Sequence, residues 1–242
     1  MSRPSLLAPV VMAYQRPLVG GRLLRRYKRF LADVDLDQGG PTTVHCPNSG
    51  SMLGAMKTGA RVYCSISDNP KRRYRHTWEM CRMGRHWVGI NTLLANRLAV
   101  AAARGRALDL FAEAAEVRPE VKVGPGTRLD ILVQRPGGPL YVEVKNVSLV
   151  TETVARFPDA VTTRGAKHLR ELMRLKAQGV DAAMVYIVQR GDAEAFGPAA
   201  GIDPVYAELY HQARRRGVMV RAVRARVGPT RVRLDEVLPL VD

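Results

Sequence analysis

The stretch Arg128-Leu129-Asp130-Ile131-Leu132-Val133-Gln134-Arg135-Pro136-Gly137-Gly138-Pro139-Leu140-Tyr141-Val142-Glu143-Val144-Lys145-Asn146-Val147 decides how the chain is read. Two apolar runs flank a Pro-Gly-Gly-Pro turn, which predicts two strands, Arg128 to Val133 and Leu140 to Val147, joined as a hairpin. In the second strand, alternation puts Glu143 and Lys145 on one face and Val142 and Val144 on the other. The valines can then be core while the ions meet at a cleft. Asp130, whose neighbours Leu129 and Ile131 are expected to point the opposite way, can bring its carboxylate beside Glu143. Two carboxylates so placed predict a site for Mg2+ (or Mn2+), which takes one or two protein carboxylates and leaves positions for phosphate oxygens. Such an ion polarises a phosphoryl group and lowers the pKa of water. Lys145 then orients that water or neutralises charge developing on the phosphate. Glu120, at the head of a preceding strand, is a candidate third acid. Taken alone, D-x12-E-x-K also fits a cross-strand charge pair on an exposed sheet.

Outward from this hairpin the periodicities alternate. A helix is expected from about Thr92 to Phe111, with Asn91 or Thr92 as cap and Leu94, Leu98, Ala101 and Ala102 at helical spacing. A strand over Glu120 to Val123 follows Pro119 and turns through Gly124-Pro125-Gly126. Beyond the hairpin come a helix over Thr162 to Gln178, a buried strand over Ala182 to Val188, a helix near Pro204 to Arg216 and a strand near Val218 to Val227. The order α-β-β-β-α-β predicts an α/β domain over residues 89–242. Its second helix carries Arg164, Lys167, His168, Arg170 and Arg174, a cationic face available to phosphates that also fits a solvated helix surface. Phe157-Pro158-Asp159-Ala160 reads as a rigid entry turn, with Asp159 either capping the helix or reaching the site.

Residues 1–88 read differently. Strand-like runs at Arg22 to Leu36, Thr42 to Cys46, Ala60 to Ser67 and Arg85 to Ile90, separated by Gly, Pro, Asn and Asp, predict a small OB-like β-barrel that binds nucleic acid. Arg25-Arg26-Tyr27-Lys28-Arg29-Phe30 interleaves cations with aromatics, as a phosphate-tracking and base-stacking strand requires, and alternation places Arg25, Tyr27 and Arg29 on one face. An amphipathic strand turning Leu24 and Phe30 to the core fits equally. Lys71, Arg72 and Arg73 form a second basic run in a loop.

The 242 residues carry 38 Lys and Arg against 22 Asp and Glu, a formal charge of +16 that points to polyanionic partners: DNA, single- or double-stranded, and possibly RNA. The excess is greatest in residues 1–85, with 15 basic and 5 acidic side chains. Cys46, Cys64 and Cys81 are odd in number and widely spaced, which argues against a disulfide framework and predicts free thiols in a reducing compartment. No apolar run approaches the ~18 residues that span a bilayer. The run Leu6 to Ala13 is short and broken by Pro9. A cytoplasmic protein without membrane association is expected, of undetermined oligomeric state.

In chain order, Arg25-Arg26-Tyr27-Lys28-Arg29-Phe30, His45-Cys46-Pro47-Asn48-Ser49-Gly50, Asn91-Thr92-Leu93-Leu94-Ala95-Asn96-Arg97-Leu98, Glu143-Val144-Lys145 and Phe157-Pro158-Asp159-Ala160-Val161 resemble the sugar fermentation stimulation protein A family. The resemblance implies an OB-like barrel joined to a PD-(D/E)XK nuclease-like domain, DNA binding, and a role in regulating sugar, notably maltose, use. Carried over by motif, the site is Asp130, Glu143 and Lys145 with Glu120, the metal falling to Asp130 and Glu143. Two functions are therefore expected in competition: a Mg2+-dependent phosphodiesterase (nuclease), and a DNA-binding regulator that does not cut.

Overall fold

The computed structural model describes residues 6–124 and 126–242. Pro125 of the expected turn lies outside the described residues. The N-terminal half is built from β2 (Val19–Tyr27), β3 (Leu31–Leu36), β4 (Gly40–His45), β5 (Arg61–Ile66), β6 (His76–Met83) and β7 (His86–Gly89). Pairing runs β4-β3-β2-β5-β6, and a parallel contact of His45 with Thr77 joins β4 to β6, closing a five-stranded barrel. Closure leaves those five strands no open edge. Alternation fills the barrel with Leu23, Val34, Val44, Val62 and Trp78, all buried. The three cysteines are free and buried among them, and burial pushes the Cys64 thiol up to about 12 and Cys81 to about 11, so both stay protonated.

One expected strand is two. The run Arg22 to Leu36 breaks at Lys28 and Arg29, whose φ angles of 49° and 61° make a hairpin turn between β2 and β3. Side chains other than Gly and Asn rarely adopt that region, so nothing in the composition signals it. Arg29 therefore does not continue the face carrying Arg25 and Tyr27.

The C-terminal half follows as α1 (Leu93–Arg104), β8 (Glu116–Gly124), β9 (Thr127–Gln134), β10 (Leu140–Val147), β11 (Leu149–Thr151), β12 (Val154–Phe157), α2 (Thr163–Ala177), β13 (Asp181–Val188), β14 (Ala195–Pro198), α3 (Pro204–Arg215), β15 (Met219–Val227) and β16 (Arg231–Leu238). The expected α-β-β-β-α-β order is present as α1, β8, β9, β10, α2 and β13. Helix α1 is shorter than expected. It ends at Gly105, and Arg106 at φ 53° cannot continue it. Strand β8 starts four residues early and runs through Pro119. It lies at the edge of its sheet, where a missing N–H costs little.

The main sheet has seven strands in the order β1-β16-β15-β13-β10-β9-β8, where β1 is Val10–Ala13. Ile131, Val133, Val142 and Val144 pack toward α1. Val147, Met184 and Tyr186 pack toward α2 and α3, against Leu169, Leu172, Tyr206 and Tyr210. Strand β1 departs from the expected division at residue 88: it pairs with β16, Val10 opposite Leu234, so residues 10–13 belong to the α/β layer although they precede the barrel in sequence. Among the described residues no helix is long and apolar enough to cross a membrane.

This placement of β1 has a measurable consequence. Val10 is 5% exposed and Val11 56%, so Val10→Asp is expected to lower unfolding free energy by about 3 kcal/mol through a buried unpaired charge. Val11→Asp should change it by less than about 0.5 kcal/mol. Urea denaturation of both variants checks this.

Candidate functional site

Strands β9 and β10 pair only as far as Val142, opposite Ile131. Beyond that point they part, and the Asp130 carboxylate enters the gap. Its Oδ2 accepts the Val144 N–H at 2.7 Å and its Oδ1 accepts from the Asn96 amide at 2.8 Å. The expected alternation therefore slips at Asp130: Leu129 packs on the α2 side and Ile131 on the α1 side.

Glu143 is 2% exposed. Its Oε1 takes the Lys145 ammonium at 2.5 Å and the Nδ1 of His168. Because carboxylate oxygen only accepts, His168 must carry its proton on Nδ1. Lys145 Nζ lies 3.2 Å from that nitrogen, a packing contact rather than a hydrogen bond. Glu143 Oε2 is buried with no hydrogen-bond partner among the described residues.

The two acids are pushed apart in acidity. Burial first, then the charge of Glu143, lifts the Asp130 carboxyl from 3.8 to about 6, against the pull of the Val144 N–H, Lys145 and Asn96. Burial also opposes ionisation of Glu143, but hydrogen bonding from His168 and the charge of Lys145 outweigh it and hold that carboxyl below its ordinary value.

Asp130, Glu143 and Lys145 share one cleft of about 330 Å³ with Asn48, Asp159 and Arg164. The structure thus brings together three of the four sequence-predicted site residues. Glu120 falls opposite Asp130 in the β8–β9 register, yet its φ of 54° interrupts the pairing and it lies exposed, ion-paired to Arg128 at 3.0 Å. Among the described residues no group of three His, Cys, Asp or Glu side chains is placed to hold a metal.

The cations sort into distinct roles. His168, expected on a phosphate-facing surface, is buried and belongs to the carboxylate cluster. Lys167 reaches the Gly126 carbonyl across the β8–β9 turn, while Arg164 stands exposed at the cleft. In the barrel, Arg26 does not face solvent as a phosphate contact: its Nη2 binds the carbonyls of Arg29, Asn48 and Gly50. Arg25 is exposed, bonded to Asp33 and stacked 5.0 Å from the centre of the Tyr27 ring. Lys28 and Arg29 are exposed on the β2–β3 turn. In the 67–75 loop, Lys71 is exposed, Arg72 bonds Thr77, and Arg73 stacks on Tyr74.

One contribution, that of Asn96, escaped the sequence reading, and the structure gives two others their places. Asn96 holds Asp130, and the only trace is a polar residue interrupting the apolar spacing of α1. The loop after His45 lines the cleft, although its residues carry no obvious chemistry. Of the two roles expected for Asp159, capping α2 falls to Thr162, while Asp159 does reach the site and lines the cleft. It accepts from Ser51 Oγ at 3.1 Å and the Met52 N–H at 2.9 Å. A Cβ at Gly50 would come to 3.0 Å from that carboxylate, so a larger residue there would push the Asp159 side chain aside by a few tenths of an ångström.

The same two halves recur in known proteins. The SfsA N-terminal OB domain matches residues 24–90, and the sugar fermentation stimulation protein RE domain matches residues 93–231. The chain belongs to the SfsA family. The sugar fermentation stimulation protein homolog of Geobacter sulfurreducens is 50% identical to this SfsA chain over 230 residues, covering 95% of the chain and 99% of the relative. That of Pelobacter propionicus is 50% identical over 225 residues, covering 93% and 98%. Among solved structures, Pyrococcus furiosus SfsA in complex with Ca2+ superposes with a TM-score of 0.88 at 25% identity, covering 96% of this chain and 98% of that one.

Asp130 offers a stability test of the site. Its proton is held more tightly in the folded chain than in the unfolded one, so its favourable contribution is full below 3.8 and is lost as pH rises to about 6. Asp130→Asn, with Asn96 turning its amide to suit, is expected to be more stable than the native chain at pH 8 by on the order of 2 kcal/mol. The difference should close toward pH 4. Thermal melts across that range measure it, and a constant difference would contradict the buried-acid account.

Proposed function

We propose that this SfsA protein is a metal-dependent phosphodiesterase acting on DNA. The observation that carries the reading is the pairing of a buried and a half-buried carboxylate in one cleft, with Glu143 Oε2 left without a partner among the described residues and Asp130 raised to about 6. Burying two like charges side by side is unfavourable, and a hard divalent cation relieves both. Asp130 and Glu143 would hold it, and Mg2+ or Mn2+ suits a two-carboxylate set with room for water. When bound, the ion supplies charge to a phosphodiester and eases proton loss from water. The Ca2+ named with the P. furiosus relative agrees with a hard-cation preference.

The remaining residues have separate tasks. His168 fixes the Glu143 carboxylate from α2. Lys145, 15% exposed at its side chain, keeps its ammonium at the cleft and offsets charge accumulating on the phosphate. Arg164, at the same cleft, is placed to bind a flanking phosphate, and the net charge of +16 draws the polyanion in. One observation favours the second reading, a DNA-binding regulator of sugar use that does not cut: Glu120 stays outside the cluster, leaving two acids where three were expected.

Labelled DNA incubated with the protein in Mg2+ or Mn2+ should be cut, and Lys145→Ala or EDTA should reduce the rate at least about a hundredfold. Tight binding with no cutting in either metal would favour the regulator. Affinity should fall with added salt by roughly 0.7 to 0.9 log units per log unit of salt for each phosphate neutralised.

A further inference from the structure

The loop that leaves the barrel after β4 forms one wall of the cleft through Asn48, Ser49 and Gly50. At one end Thr92, at the start of α1, donates to the Pro47 carbonyl at 2.8 Å. In the middle Arg26 holds the carbonyls of Asn48 and Gly50. At the other end Ser51 Oγ donates to the Asp159 carbonyl at 2.7 Å, and Arg190 grips the Gly54 carbonyl at 2.9 Å. The loop thus runs between the two helices whose side chains hold the catalytic acids: Asn96 of α1 on Asp130, and His168 of α2 on Glu143. With this many anchors it is a fixed strap. Glu143, 2% exposed, lies in the cleft behind it.

A second groove adjoins the cleft. The cleft shares Asn96 and Asp130 with this groove of about 650 Å³ along α1, where Arg97 and Arg104 are exposed and make no hydrogen bond or ion pair among the described residues. That groove in turn shares Met12 and Arg97 with a third one reaching Arg16 and Arg72 beside the barrel. Of the two acids that line the middle groove, Asp130 belongs to the cleft and Glu120 is ion-paired to Arg128.

Resting on the phosphodiesterase reading above, we infer that the substrate is single-stranded nucleic acid, passing along the 47–54 loop and leaving along the Arg97 and Arg104 face of α1. A cleft of 330 Å³ is at the low end of small-ligand sites and has room for about one nucleotide. A duplex, with both strands and a groove about 12 Å wide, is too broad to enter a cleft of this size and set a phosphate beside Glu143, which is 2% exposed. A single strand bends through the opening, and spaced arginines in a groove suit its backbone.

The test measures binding in metal-free buffer at about 0.1 M salt, using a labelled 30-nucleotide single strand and the blunt duplex of the same sequence, followed by cleavage in Mn2+. The native protein should bind the single strand at least tenfold more tightly than the duplex and cut only the former. Arg97→Gln with Arg104→Gln should weaken single-strand binding by about tenfold or more with an unchanged thermal melt. Because Arg97 acts electrostatically on buried Glu79, Arg104→Gln alone serves as the second variant, with a loss of about fivefold expected. Equal binding of both forms, or arginine variants that bind as the native chain does, would overturn the inference. Duplex cutting that depends on Lys145 would remove this inference and leave the phosphodiesterase standing. Failure to bind or cut either form would end both.

Discussion

A glutamate carboxylate buried to 2% exposure, held between an ammonium and an imidazole, is the constraint around which the C-terminal half is arranged. Such a group is costly to bury unless each oxygen is satisfied. Lys145 arrives from two residues along the same strand, and His168 from the helix packed on that face. The helix is in turn positioned by Thr162 capping Gly165 and by Asp203, which accepts the Thr162 N–H and caps α3. Only one oxygen of Glu143 is served this way. The second has no hydrogen-bond partner among the described residues, and burial together with the charge of Glu143 raises the Asp130 carboxyl in the same cleft.

The second acid stands where β9 and β10 separate. In a regular sheet the Val144 N–H would bond to the next strand. Here Asp130 supplies the acceptor with its side chain, which lets the strands part without orphaning the backbone. The opening between strands, the proximity of the two acids and the access for a ligand thus have one geometric origin. The barrel contributes by position: its 47–54 loop closes one side of the opening and fixes what can approach the acids.

Much of this was legible in the sequence because it is local. Val142 and Val144 declare the buried face of β10, the Pro-Gly-Gly-Pro turn fixes the hairpin, and Glu143 and Lys145 interrupt an apolar run where ions need a purpose. The barrel was readable from short strands between turn residues. What escaped depends on long-range geometry or on conformations without a compositional mark. Lys28 and Arg29 adopt positive φ without glycine or asparagine. Strands β11, β12 and β14 are three or four residues long, and β1 pairs with β16 more than 200 residues away. The Ser51 to Asp159 contact joins residues 108 apart. No periodicity encodes it. Arg26 shows the converse error: basic residues beside aromatics suggested a phosphate contact, whereas the guanidinium is consumed by backbone carbonyls of the strap.

The central claim is that Asp130 and Glu143 together form a divalent-cation site, and calorimetric titration of Mn2+ into the full chain and into Glu143→Gln tests it most directly. The account expects the native chain to bind one Mn2+ in the cleft and the variant to lose that binding while remaining folded. Equal stoichiometry and affinity in the two proteins would contradict it, and would make the paired carboxylates a structural feature with no ion to serve.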